Sequence, residues 1–325
     1  MIAIRWLSLI CLLFPGAVFP VLAQNYPSHT ITIVVPNPPG GPSDLFARWI
    51  GNLMGKELGQ QIIVENVGGA SGTIGTSRVA QAAPDGYTLL MHNITFAAAP
   101  TLYKRRTYDP LGDFDPIGLV TETPQVIVAK KTMPATNLRE LIAYIKTNQE
   151  TINLADAGRG SASYLCNMFL ARSVGVSLTA ISYRGMNPAL NDLLAGQVDL
   201  MCDQVANTAQ QIKAGNINAY CVATPKKLDQ LPDLPTCEEA GAPHLVTSVW
   251  LALLGPRGLP QDVVSRLDSA LRQALHNPDL AQQLAKLSTT IASDDLATPE
   301  GLRVFLEAEV DKWKGTLNAM HVAPE

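Results

Sequence analysis

The amino-acid sequence predicts an α/β fold of two lobes with a cleft between them. Three observations carry this. Short apolar strands alternate with helical stretches along most of the chain, the pattern of a parallel or mixed sheet covered on both faces. Several connecting turns are rich in glycine and proline and open directly into a helix. Two long strand-like stretches, near 120–128 and 246–254, read as crossings between one series of elements and the other. At 325 residues, with 47% hydrophobic and 16% charged content, the chain is globular and long enough for one large or two modest domains.

Residues 1–23 read as a secretory signal peptide. Arg5 supplies a positive charge, Trp6–Leu22 is apolar but broken by Pro15, Gly16 and Pro20, and Ala23 closes a small-residue cleavage site. The run is too short and too interrupted for a membrane span, and no later stretch is apolar enough to be one. A lipoprotein would need cysteine at the cleavage point, but Cys11 lies mid-run and Gln24 follows Ala23. Loss of Arg5 with this segment takes the net charge from −4 to −5.

Thr30–Val35 is a β-branched strand stopped by Pro36, and Asn37–Pro42 is a turn that can be neither helix nor ladder. Leu45, Phe46, Trp49, Ile50, Leu53 and Met54 recur at helical spacing, with Ser43 or Asp44 as the expected N-cap. Gln61–Val64, Thr88–Met91 and Val126–Ala129 are further strands. Asn137 caps a helix whose Leu138, Leu141, Ile142 and Ile145 share a face. Leu165–Ala171 is helical after a Gly/Ser loop, and Asn187-Pro188 opens a helix that Gly196 ends. Val198–Cys202 and Ala219–Ala223 are strands around a helix ending at Gly215, and Val249–Leu254 is the last clear strand. Helices Pro260–His276, Pro278–Leu287 and Thr298–Met320 finish the chain. The crossings place 24–123 plus 249–325 in lobe one and 124–248 in lobe two.

A mild acidic excess without a Lys/Arg run argues against a nucleic-acid or anionic-membrane partner. None of the five histidines sits at metal-ligand spacing, so no metal site is written locally. The nucleophile elbow is absent, because Gly158-Arg159-Gly160-Ser161-Ala162 holds serine in the wrong slot. No G-K-[ST] and no strand-borne G-x-G-x-x-G indicates a nucleotide. Cys166, Cys202, Cys221 and Cys237 form two disulfides in one of three connectivities, or remain buried thiols.

Two loops carry the chemistry that is present. Asn37–Ser43 feeds a helix start, where glycines let backbone N–H groups approach an anion and the helix end is partly positive. Ala157–Tyr164 repeats the arrangement and adds the hydroxyls of Ser161 and Ser163, which serve a ligand or cap the helix. Tyr183-Arg184-Gly185 and Asp203 follow apolar strands, where α/β proteins place ligand contacts. Asp44, Arg48, Glu65 and Asp85 read equally as caps, turns or salt bridges, and Trp250 and Phe96 as core. Asn37–Asp44 contains no Lys or Arg and Ala157–Tyr164 only Arg159, whose side chain is expected to face solvent. Hydrogen bonds rather than ion pairs are therefore expected to hold the ligand. A Cβ at Gly41 is expected to block the backbone approach and to demand a forbidden dihedral.

At these residues the sequence resembles the Bug family, periplasmic solute receptors of tripartite tricarboxylate transporters. The resemblance runs in order through Pro38-Pro39-Gly40-Gly41-x-x-Asp44-x-x-Ala47-Arg48, Val64-Glu65-Asn66 and Gly68-Gly69-Ala70-x-Gly72-Thr73-Ile74-Gly75. It continues through Pro84-Asp85-Gly86-Tyr87-Thr88-Leu89, Tyr183-Arg184-Gly185, Gly196-Gln197-Val198-Asp199, Leu231-Pro232-Asp233-x-Pro235-Thr236 and Glu239-Ala240-Gly241. It implies a clamshell of the periplasmic-binding-protein fold, acting as a monomer without catalysis or a tightly bound cofactor. It would pass a small carboxylate to membrane permease subunits. The residues carried over are Pro39, Gly40, Gly41 and Ser43 in the first loop, and Gly160, Ser161 and Ser163 in the second. Asn93, Thr95 and Phe96 border the family's cleft, and Tyr183 and Asp203 complete the expected site. Where many relatives have histidine this chain has Tyr164, whose aromatic face favours an aromatic acid or diacid such as terephthalate. A periplasmic ligand sensor and an exported hydrolase are the rival readings.

Overall fold

The computed structural model describes residues 26–324 apart from 106, 177 and 244. The expected signal peptide lies outside the described residues. The chain begins β1 (Ile31–Val35), α1 (Pro42–Leu58), β2 (Ile62–Asn66), α2 (Thr73–Ala80), β3 (Thr88–Asn93) and α3 (Thr95–Leu102). It continues with β4 (Phe114–Lys130), α4 (Leu138–Asn148), β5 (Asn153–Asp156), α5 (Ala162–Val174), β6 (Thr179–Ser182) and α6 (Met186–Leu194). Then follow β7 (Leu200–Gln204), α7 (Val205–Lys213), β8 (Ile217–Val222) and β9 (Ser248–Pro256). The last elements are α8 (Gln261–Leu275), α9 (Pro278–Lys286), β10 (Thr290–Ile291) and α10 (Pro299–Ala319).

One long strand serves both lobes. The first half of β4 pairs antiparallel with β9, which continues the sheet β2-β1-β3. Its second half, from Gln125, pairs antiparallel with β7 and β8, and parallel β5 and β6 extend that sheet beyond β7. β9 lies wholly in the first sheet, so the second crossing precedes it. There Thr247 donates its N–H to the Ala223 carbonyl at 2.9 Å, and Ser248 stands opposite Pro124. Both sheets are covered on both faces. Ile31, Ile33 and Val35 enter one core and Val34 the opposite one; in β4, Ile127 and Ala129 diverge likewise from Val126 and Val128. Burial on two faces explains why these strands read as unbroken apolar runs.

Several boundaries differ from the expected ones. Gly41, not Ser43 or Asp44, is the N-cap of α1, because Pro42 takes the first helical position, where a missing N–H costs nothing. For the same reason Pro188 sits inside α6, which starts at Met186 after Gly185 rather than being capped by Asn187. Asn137 caps α4 as expected, accepting from the Glu140 N–H. The cysteines pair as Cys166–Cys202, tying α5 to β7, and Cys221–Cys237, tying β8 to the turn after it. Among the described residues no helix is long and apolar enough to cross a membrane, and no cluster of three His, Cys, Asp or Glu could hold a metal.

The carboxyl-terminal helix is locked to the first sheet by one buried acid. Glu309 Oε2 accepts from the indole N–H groups of Trp250 at 2.8 Å and Trp313 at 3.1 Å, and Oε1 meets Lys312 at 2.7 Å. Glu309→Ala strands two buried donors and should cost about 3 kcal/mol of stability, measured by denaturant unfolding. A loss below about 1 kcal/mol would mean that water or another acceptor replaces the carboxylate.

Candidate functional site

Right-handed βα units place every strand-to-helix loop at the carboxyl edge of its sheet. Here six such loops line one cavity of about 830 Å³. Lobe one contributes 36–43 without Gly40 after β1, 68–72 after β2, and Asn93 and Thr95 after β3. Lobe two contributes residues of 157–163 after β5, Tyr183–Pro188 after β6, and Asp203 and Gln204 after β7.

Helix starts therefore converge on the cavity, and most lack a side-chain cap. The N-cap residues Gly41 of α1, Gly72 of α2, Ile94 of α3, Gly185 of α6 and Gln204 of α7 make no side-chain capping bond. Outside the cavity α4, α9 and α10 are capped by Asn137, Asn277 and Thr298, while α8 starts uncapped after Pro260. An uncapped helix start presents unpaired N–H groups and roughly half a positive charge. The backbone thus makes the cavity electropositive, Arg159 and Arg184 also line it, and such a site suits an anion.

Side chains hold these loops in place. Asp44 accepts from the Gly40 N–H at 2.9 Å and pairs with Arg48 at 2.9 Å. Burial opposes ionisation of Asp44, yet the Gly40 N–H and the Arg48 guanidinium outweigh it and hold the carboxyl below its ordinary value. Asn93 Oδ1 accepts from the Thr95 N–H and hydroxyl, which turns Nδ2 toward Asn37 and Ser43, 3.4 Å from each. Behind it, burial drives the His92 pKa down to about 3; its neutral ring accepts the Asn93 N–H at 2.9 Å. In lobe two the Ser163 hydroxyl accepts from the Ala157 N–H and lies 3.1 Å from that of Ser161, which caps α5 through the Tyr164 N–H.

The lobes touch across the cavity. Tyr103 donates to the Arg159 carbonyl at 3.2 Å, and Ser71 donates to the same oxygen. Asn187 Nδ2 donates to the Gly40 carbonyl at 3.2 Å. Ala70 and Ser71 adopt φ of 44° and 53°, left-handed values unusual outside glycine, and this turns Ser71 toward the facing lobe.

Of the expected ligand residues, Pro39, Gly41, Ser43, Asn93, Thr95, Ser161, Ser163, Tyr183 and Asp203 line the cavity. The other four lie behind it. Gly40 is engaged by Asp44 and Asn187, and Gly160 is buried against Leu102 and Ser71. Phe96 is fully buried, stacked on Tyr108 and edge-on to Phe114. Tyr164 packs into the lobe-one core with the Arg159 guanidinium 6.0 Å from its ring centre. Arg159, expected to face solvent, is half-buried on the cavity wall, and its guanidinium donates to the Ala323 carbonyl. Gly41 has φ −85°, and a Cβ there would meet only the Pro38 carbonyl at 3.9 Å; it is Gly40, at φ +80°, that requires glycine. Arg48 bonds Asn66, Glu65 pairs with Arg78, and Asp85 orders the turn before β3, so all three are structural. The Gly68–Gly72 wall, Tyr103 and Gln125 were not expected as site residues; the dense glycines after β2 were the available signal for the first.

The family model described as tripartite tricarboxylate transporter family receptor matches residues 46–321. A UPF0065 protein from the TAR-I ttuE-ttuC' intergenic region of Agrobacterium vitis is 41% identical, over 93% of this chain and 88% of that protein. The solved periplasmic binding protein BugD superposes with a TM-score of 0.88 at 41% identity, covering 92% of this chain and all of that one. MatC from Rhodopseudomonas palustris, solved with bound malate, superposes with a TM-score of 0.85 at 37% identity, covering 89% and 99%. The chain belongs to this receptor family and has the periplasmic-binding-protein fold.

Burial pushes the Asp203 carboxyl up to about 7 from an ordinary 3.8, against the pull of hydrogen bonds from Asn207 and Gln204. The folded state then holds a proton that the unfolded chain has released between about pH 4 and 7. This group's effect on stability therefore becomes less favourable as pH rises through that window, by about 4 kcal/mol in all. Asp203→Asn should gain on the native chain by that order between pH 4 and 8 in denaturant midpoints. A difference independent of pH would mean an ordinary carboxyl.

Proposed function

We propose that this receptor works in the periplasm, where it closes around a small organic dicarboxylate and delivers it to the membrane permease subunits of a tripartite tricarboxylate transporter. The supporting observation is the ring of uncapped helix starts around a single cavity between the lobes. One carboxylate sits at the Pro39–Ser43 loop and the start of α1, and the other faces Ser161 and Ser163. Malate in the solved relative MatC is a ligand of this class. Tyr164, the residue that suggested an aromatic ligand, lies outside the cavity, so we favour an aliphatic diacid over terephthalate-like compounds. The lobes, 24–123 plus 249–325 and 124–248, close by hinge motion where the chain crosses beside Pro124 and Ser248. Binding proceeds without a catalytic step or cofactor.

A thermal-shift screen of C4 to C6 diacids tests this reading. A ligand at a hundredfold excess over its Kd adds about 2.7 kcal/mol, a melting rise of several degrees. A Cβ at Gly41 meets only the Pro38 carbonyl, at 3.9 Å, so Gly41→Val meets no clash at its first carbon but fills space on the cavity wall. The variant, with a poorer cap on α1, should melt within about 4 °C of the native ligand-free protein and lose at least about a hundredfold in affinity, because branched carbons replace a backbone approach. Undiminished affinity in Gly41→Val would remove the first loop from the site.

A further inference from the structure

Asp203 stands where β7 becomes α7, 2% exposed and on the cavity wall. It is the only carboxylate among the described residues that line the cavity. Its Oδ1 accepts from the Gln204 N–H at 2.8 Å and its Oδ2 from Asn207 Nδ2 at 2.6 Å. Each oxygen can accept twice, so two acceptor positions remain. Among the described residues no cation compensates the group; its stabilising contacts are those two donors. The neighbouring polar groups are committed elsewhere. Gln125 on β4 donates to the Ala162 carbonyl and accepts from Thr247, and the Tyr183 hydroxyl donates to Asp192. Asp156, at the end of β5, accepts from the Gly158 N–H and the Ser182 hydroxyl, and the Arg159 guanidinium reaches Ala323.

A wall otherwise rich in donors suits carboxylates, whereas a buried acceptor with free lone pairs repels them and calls for a hydrogen donor. We propose that Asp203 determines specificity, selecting diacids that carry a hydroxyl or ammonium on the carbon chain between their carboxylates. This inference rests on the reading of the cavity as a diacid site. A substituent that donates to Asp203 satisfies the acceptor and, when it is an ammonium, neutralises the charge. A plain diacid of equal length leaves the acceptor unpaired beside two more negative charges.

Succinate, L-malate and L-aspartate share a four-carbon diacid frame and differ in bearing no donor, a hydroxyl or an ammonium. Calorimetry on the native protein at pH 8, where Asp203 is mainly ionised, compares them without any substitution. The tighter of malate and aspartate should bind about tenfold to a hundredfold better than succinate, the scale of one hydrogen bond to a charged group. Which of the two leads tells whether the donor is a hydroxyl or an ammonium. Asp203→Asn, checked for folding by its melting temperature, should bring all three ligands within about threefold of one another, because the charged acceptor is gone. Native succinate affinity within threefold of both others overturns the inference while leaving the diacid reading intact, as does a folded Asp203→Asn that keeps the native preference. Failure of these three and of adipate to bind overturns both readings.

Discussion

Backbone N–H groups at a helix start must meet a cap, water or a ligand; α1, α6 and α7 bring theirs to one cavity without a cap from the N-cap residue, while the first N–H of α2 goes to the Ala70 carbonyl and that of α3 to Asn93. Everything else in the fold keeps those starts aligned. The apolar residues Phe46, Ile50 and Met54 fix α1 against the first sheet. α5 is held twice over in lobe two. Its Cys166 is bonded to Cys202, and Asn167 donates to the Ala155 carbonyl while accepting the Cys202 N–H. The loop ahead of α5 and the strand that carries Asp203 therefore form one rigid unit. A cavity built this way needs little side-chain charge, and a net acidic chain can still present a positive interior.

The same construction accounts for the closure we propose. Each lobe carries half of the ring, so a ligand with two acidic ends gains both halves only when the lobes meet. The contacts of Ser71 and Tyr103 with Arg159, and of Asn187 with Gly40, link the two loop sets directly. α10 reinforces the junction from behind. Trp313 packs against Phe169 of α5, and the segment after α10 supplies Ala323 to Arg159. The carboxyl-terminal helix, locked to the first sheet through Glu309, thus reaches the second lobe beside its binding loop.

Local patterns revealed what local forces determine. β1, β3, β7 and β9 are buried on both faces, and their apolar runs were legible at once. Both loops that open α1 and α5 were found from their glycines and serines. α2 escaped because its buried positions are Gly75, Thr76 and Val79, too small and polar to mark a helical face. α3 escaped for the opposite reason, being buried nearly all round and containing Pro100. β6, an edge strand with exposed residues, shows neither alternation nor a run. Arg159 and Tyr164 were misplaced because their partners, Ala323 and the lobe-one core, are remote in sequence. Asp203 was located from its place after a strand, but only the folded environment shows an acid without a cation.

The central claim is that backbone dipoles and hydrogen bonds, not cations, hold the ligand. The affinity for L-malate as a function of sodium chloride tests it most directly. Site charges separated by more than about 8 Å are screened at physiological salt, whereas N–H groups in contact with a buried carboxylate are not. The account predicts that affinity changes by less than about twofold between 50 and 500 mM salt. A fall of about tenfold or more over that range would mean that Arg159, Arg184 or another cation carries the binding, and would contradict it.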